Sequence, residues 1–146
     1  MNDTEKLALL LLTRREHAAH ELTQKLQKKG HDFATSLAAV RKCQDLGYQS
    51  DLRFAENVYR TRVRRGYGPQ RIQQELCAAK LDADLIQEVL ATEPVDWVER
   101  AREVWRKKYS DILVDSRVER QKQQQFLLYR GFSMDTIITM LRENET

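Results

Sequence analysis

Apolar residues return every three to four positions along almost the whole chain, and no sustained alternation of period two interrupts them. That period predicts an all-α fold. We place about nine helices, near residues 4–16, 18–29, 32–46, 51–65, 69–80, 82–92, 95–109, 116–130 and 133–143. The stop and start signals agree. Gly30 and Gly47 follow apolar-periodic segments, as glycines at helix C-termini do. Asp32, Asp51, Asp82 and Ser133 stand where N-caps belong. Pro69 falls in a first helical turn, where its missing N–H costs nothing. Pro94 separates two helices. Residues 110–115 read as a solvent linker, and Lys122 to Gln125 as a polar helix face.

The chain is also self-similar. Arg15-Glu16-His17-Ala18, with Leu22 and Leu26, matches Arg65-Gly66-Tyr67-Gly68, with Ile72 and Leu76. Both match Arg130-Gly131-Phe132-Ser133, with Ile137 and Leu141. Each copy falls at a helix–helix junction. The arginine ends one helix, where a cation complements the C-terminal dipole. The ring staples the junction, the small residue caps or turns, and the aliphatic pair at i, i+4 forms an inner stripe. Three helical hairpins therefore follow one another. A further match, Ala101-Val104-Trp105-Arg106 with Ala55-Val58-Tyr59-Arg60, makes 97–109 the first helix of a third unit.

The stretch RVRRGYGPQRIQQEL at 62–76 poses a choice between a phosphate cradle and a turn. It lacks the G-x-x-x-x-G-K-[ST] pattern and follows no strand, so it reads as the junction turn recurring in each unit.

Composition narrows the class. A chain of 146 residues can bury about two-thirds of its unfolded surface without staples. Cys43 and Cys77 read as buried thiols of a reducing compartment. Leu7–Leu12 is too short for a signal peptide, and no apolar run approaches the roughly 20 residues of a membrane span, so a cytoplasmic protein is expected. The net charge of +3 is modest, but its distribution is not even. Six arginines (53, 60, 62, 64, 65, 71) face one acid, Glu56, between Arg53 and Arg71. A second basic block comprises Arg100, Arg102, Arg106, Lys107 and Lys108, offset by Glu99 and Glu103. Arginine forks suit phosphate and carboxylate, although a solvated helix face explains the same residues.

Catalytic chemistry is thinly represented. His17 and His20 lie three apart, not four as in H-E-x-x-H, and neither cysteine has metal-ligand spacing. No nucleophile–base constellation emerges, so no enzyme, metal or cofactor is expected. Phe33, Phe54 and Phe126 read as core, and Trp97, Trp105 and Tyr109 as interhelix packing. Tyr67 and Phe132 sit beside arginines and read as local staples, with base stacking the alternative.

These residues together resemble the RecX family of bacterial RecA regulators. The resemblance rests on RREHAAHEL with Leu26 and Lys29-Gly30, on LGYQSDLRFA at 46–55, on Arg60 with GYGPQRIQQEL at 66–76, and on KQQQFLLYRGFSMDTI at 122–137. Ala18 replaces a small hydroxyl residue common in the family, and Lys80 or Leu81 replaces a glycine. The resemblance implies tandem three-helix repeats in an elongated, curved arrangement, at residues 1–50, 51–94 and 95–146. It implies a monomer that lies on the RecA filament formed on single-stranded DNA, slows its extension, and suppresses ATP hydrolysis and strand exchange in repair and recombination control. The candidate contacts to the recombinase or to single-stranded DNA are Arg15, Arg60, Arg62, Arg64, Arg65, Tyr67, Arg71 and Arg130. The competing reading is a stand-alone, non-specific nucleic-acid-binding helical protein.

Overall fold

The computed structural model describes residues 1–92, 94–110 and 116–144. They form α1 (Asp3–Arg14), α2 (Ala19–Lys28), α3 (Phe33–Asp45), α4 (Asp51–Arg64), α5 (Pro69–Ala78), α6 (Ala83–Thr92), α7 (Trp97–Tyr109), α8 (Arg117–Tyr129) and α9 (Met134–Asn144), with no strand among the described residues. Of the linker expected over 110–115, residues 111–115 lie outside the described ones. Ser110 ends α7 in a left-handed conformation.

Local chemistry accounts for most helix ends. Asp32 accepts the Thr35 N–H at 2.7 Å, Asp82 that of Asp84 at 2.8 Å, and Ser133 that of Thr136 at 3.2 Å. Pro69 opens α5. Asp51 departs from expectation. It is the first residue inside α4, and Ser50 is the cap, its hydroxyl accepting the Arg53 N–H. The Asp51 carboxylate instead accepts the Ala19 N–H at 2.8 Å, serving α2, whose own N-cap Ala18 has no side-chain acceptor.

The chain divides into two compact units: Met1–Val58 with Leu76–Val89, and Tyr59–Glu75 with the chain from Leu90 onward. Helices α4, α5 and α6 each give residues to both. In the first unit α1 packs on α2 and α3. Its core gathers Ala8, Leu22, Leu26, Ala39, Val40 and Cys43. In the second unit α7 packs on α8 and α9 around Trp105, Leu127, Phe132, Ile137 and Met140. The repeated aliphatic pairs occupy equivalent places: Leu22, Ile72 and Ile137 are inaccessible, as are Leu26 and Leu76, and Leu141 is nearly so. Each such side chain contributes about 1.5–3 kcal/mol by leaving water. Ala55 and Tyr59 are buried, as are Ala101 and Trp105, in keeping with the second sequence match.

Three expectations about side chains are corrected, at Cys77, Phe33 and Gln123. Cys77 is exposed, because it lies about 100° around α5 from the Ile72/Leu76 stripe, while Cys43 is buried and its thiol pKa is raised by that burial. Phe33 is 57% exposed as the first residue of α3, a turn ahead of the buried Ser36, Val40 and Cys43. Phe132, read as a local staple, precedes the Ser133 cap and is buried in one cluster with Ile137 of α9, its ring edge-on to Trp97 at 6.4 Å. Gln123, in the stretch read as a polar face, is buried, and its carbonyl accepts the Trp105 indole N–H at 2.7 Å. A buried indole needs that acceptor.

Candidate functional site

The turn at 66–69 sits against the turn at 130–132. Both helices before them end in the same way. The Tyr67 N–H donates to the Arg62 carbonyl and the Gly66 N–H to Val63; the Phe132 N–H donates to Leu127 and the Gly131 N–H to Leu128. The two turns then bond to each other. The Gly68 N–H donates to the Arg130 carbonyl at 2.7 Å, and the Gln70 N–H to the Gly131 carbonyl at 3.0 Å. Two arginines complete a reciprocal clasp. Arg71 donates to the carbonyl of Tyr129 at the end of α8, and Arg130 to that of Arg65, just past the end of α4. Their guanidiniums also lie over the half-buried Tyr67 ring, at 4.3 Å and 5.2 Å. The glycines and two of the candidate arginines thus hold this joint.

The remaining candidates separate by partner. Arg62 forms a two-pronged ion pair with Glu75, at 2.8 Å and 2.7 Å, which raises its already high pKa. Arg15 does the same with Glu21, at 3.1 Å and 2.6 Å, in the first unit, while the other seven candidates belong to the second. Arg60, Arg64 and Arg65 are exposed, and no carboxylate among the described residues pairs with them. The spacing 60, 64 brings two of them to one face of α4.

The second basic block, noted in the sequence but not taken as a site, meets them there. An open cleft of about 380 Å³ is lined by Arg64, Arg65, Arg100, Lys107, Lys108 and Arg130, with Val63, Val104 and Phe126 as apolar wall. Glu103, the one carboxylate among its described lining residues, is engaged by Arg100. The spacing 100, 107, 108 places these three on one face of α7, a signal available in the sequence. Arg102 points elsewhere, paired with Glu99 and Glu143. A shallower cleft beside Arg65 is lined by Arg62, Tyr67, Arg71, Gln74 and Glu75.

Acid–base groups are sparse around these clefts. His17 is buried in the first unit. Its Nδ1 lies 3.0 Å from the Arg15 carbonyl and its Nε2 2.9 Å from Lys25 Nζ. A lysine can only donate, so Nε2 accepts and the proton sits on Nδ1. Burial pushes the imidazole pKa down, and the Arg15 and Lys25 charges add to that. No group of three or more metal-ligating side chains forms among the described residues. No helix among them is long and apolar enough to cross a membrane.

Family models for the first, second and third three-helix domains of RecX match residues 6–43, 50–90 and 95–140. The chain belongs to the RecX family. A regulatory protein RecX from Legionella pneumophila (strain Corby) is 50% identical over 136 residues, covering 93% of this chain and 91% of that one. Another, from Vibrio campbellii, is 41% identical over 92% of this chain and 86% of its own. The crystal structure of RecX from Lactobacillus salivarius superimposes with a TM-score of 0.82 at 25% identity, covering 97% of this chain and 94% of that one. A second RecX crystal structure, at 21% identity and a TM-score of 0.78, shares the fold. The three RecX domain models follow the helices in threes, α1–α3, α4–α6 and α7–α9. The junction turns of the second and third RecX domains are the pair that clasp each other.

Proposed function

We propose that this chain binds the RecA recombinase and its filament on single-stranded DNA and restrains filament extension, ATP hydrolysis and strand exchange. It acts in the cytoplasm as a monomer, by binding and without catalysis. The observation that carries this reading is the exposed trio Arg60, Arg64 and Arg65, which has no carboxylate partner among the described residues. Arg62, Arg71 and Arg130 already have partners, so they shape that surface more than they offer charge to a neighbour. Arginines of this kind suit the carboxylates of a protein surface or the phosphates of its DNA. Several weak contacts made at once give avidity that no single contact supplies.

The test is RecA's hydrolysis of ATP on single-stranded DNA with the chain added below one copy per several protomers. Inhibition is expected, and the double substitution Arg64→Glu with Arg65→Glu should abolish most of it while leaving helicity intact. Full inhibition by that variant would sink the assignment of this surface.

A second reading, non-specific binding of single-stranded nucleic acid, is favoured by the six cations of the α4–α7 cleft. It predicts affinity falling with salt at a log–log slope of about −0.7 per phosphate neutralised. Tight binding to bare DNA without inhibition of the recombinase would favour it.

A further inference from the structure

We infer that the cleft between the end of α4, the last turns of α7 and α8 is a binding site for a free triphosphate, inorganic or carried by a nucleoside, and that its occupancy competes with the partner surface. The competition clause rests on the regulator reading above; the binding clause does not.

Six cationic side chains line one cleft of about 380 Å³, against one carboxylate among the described lining residues, which is already paired. Arg64, Arg65 and Lys107 have no ion-pair partner among the described residues. Arg130 spends one nitrogen on the Arg65 carbonyl, and Lys108 lies over the Phe126 ring at 4.8 Å, so both keep donors for an anion. Like charges gathered in a concave, partly apolar cleft repel one another and raise the local potential, which concentrates small anions there.

The size of the cleft selects the anion. A volume of 380 Å³ corresponds to roughly 7 Å on a side, at the lower end of small-molecule sites. A nucleic-acid strand brings one charge per about 3.4 Å of duplex axis, so the cleft would meet only about two phosphodiesters, too few for its excess charge. A triphosphate packs about four negative charges into the same length. Arginine forks can each take two oxygens of one phosphate, and Lys107 adds a point charge. The Phe126 face is covered by Lys108 and by Arg130 at 5.3 Å, so the wall offers no free ring for a base. Recognition therefore falls on the phosphates, and the nucleoside is optional.

Because Arg64 and Arg65 line this cleft and also belong to the proposed partner surface, a bound triphosphate neutralises the charges that the partner would meet.

The test is titration calorimetry of the full chain with sodium tripolyphosphate, with ATP, and with an oligothymidylate at matched phosphate concentration, in moderate salt without divalent cations. One tripolyphosphate per chain is expected, with ATP within a few-fold. The pair Lys107→Glu with Lys108→Glu should weaken both by about tenfold or more, and circular dichroism should show its helices intact. The milder pair Lys107→Gln with Lys108→Gln gives the same reading if the reversal unfolds the chain. No binding of tripolyphosphate at millimolar concentration overturns the inference, as does unchanged binding by the folded variants. Oligothymidylate binding that tripolyphosphate cannot displace also overturns it, since the cleft then serves a strand. The RecA assay is read separately. Binding of tripolyphosphate without any inhibition of RecA leaves the site standing and removes the regulator reading. Inhibition of RecA without tripolyphosphate binding does the reverse.

Discussion

Gly68 and Gly131 touch backbone to backbone. A Cβ built on Gly68 would lie 2.4 Å from the Gly131 carbonyl carbon and oxygen, and one built on Gly131 would lie 2.4 Å from the Arg71 Cβ. The contact is closed by the hydrogen bonds of Gly68 and Gln70 to the facing turn. Gly68→Ala should therefore cost about 1–3 kcal/mol, because the backbones must separate to admit a methyl group. Gly131→Ala should cost more, since its φ of +99° adds left-handed strain. Urea unfolding of both variants checks this, with Gly30→Ala as the control that has open space around it. Equal losses at Gly30 and Gly131, both at positive φ, would mean that conformation, not contact, sets the cost at Gly131.

Asp51 acts on a helix it does not belong to. Its carboxylate accepts the Ala19 N–H at 2.8 Å and the Gln49 side-chain N–H at 3.0 Å, while Gln49 also holds the His17 carbonyl. Asp51→Ala should cost about 0.5–2 kcal/mol, the usual value of a lost cap. Hydrogen exchange locates the effect: protection should fall at the start of α2 as well as in α4.

Lys80 occupies a left-handed position, φ +63°, where its N–H turns back to the Cys77 carbonyl. A Cβ makes that conformation costly, and glycine removes the cost. Lys80→Gly should stabilise the chain by about 1 kcal/mol, raising Tm by about 2–4 °C. A lower Tm would show that the lysine side chain has a role the backbone does not reveal.

The buried His17 sets a pH response. Its pKa lies below the ordinary value of about 6.5, so the unfolded chain takes up this proton before the folded one as pH falls. The stability His17 supports is complete above about pH 6.5 and is lost as pH drops toward the folded-state value. The urea midpoint should thus fall between pH 7.5 and pH 5.5, above the range where carboxylates titrate. In His17→Asn, which cannot be protonated, the fall should be smaller.

The helices were legible because burial on one side writes a period of 3.6 into the sequence, and because caps such as Asp32, Asp82 and Ser133 act within three residues of themselves. Asp51 was misread since Ser50 and Asp51 are both good caps, and only the fold shows that one of them reaches 32 residues back. Arg62 gave no hint of its engagement with Glu75, thirteen residues on, across a turn. The cleft was half legible. Both basic blocks stood out by composition, but their convergence on one cavity depends on how α4 and α7 meet, which no local pattern encodes.

The division of α4, α5 and α6 between two units has a consequence for synthesis. The first unit includes Leu76–Val89, so a chain emerging from the ribosome cannot close it until residue 89 is free of the exit tunnel. By then residues 59–75 have already emerged, and their own unit still waits for the chain from Leu90 onward. Vectorial synthesis, which favours folding from the N-terminus, therefore leaves the arginine-rich segment still waiting for its final neighbours when the first unit can already close.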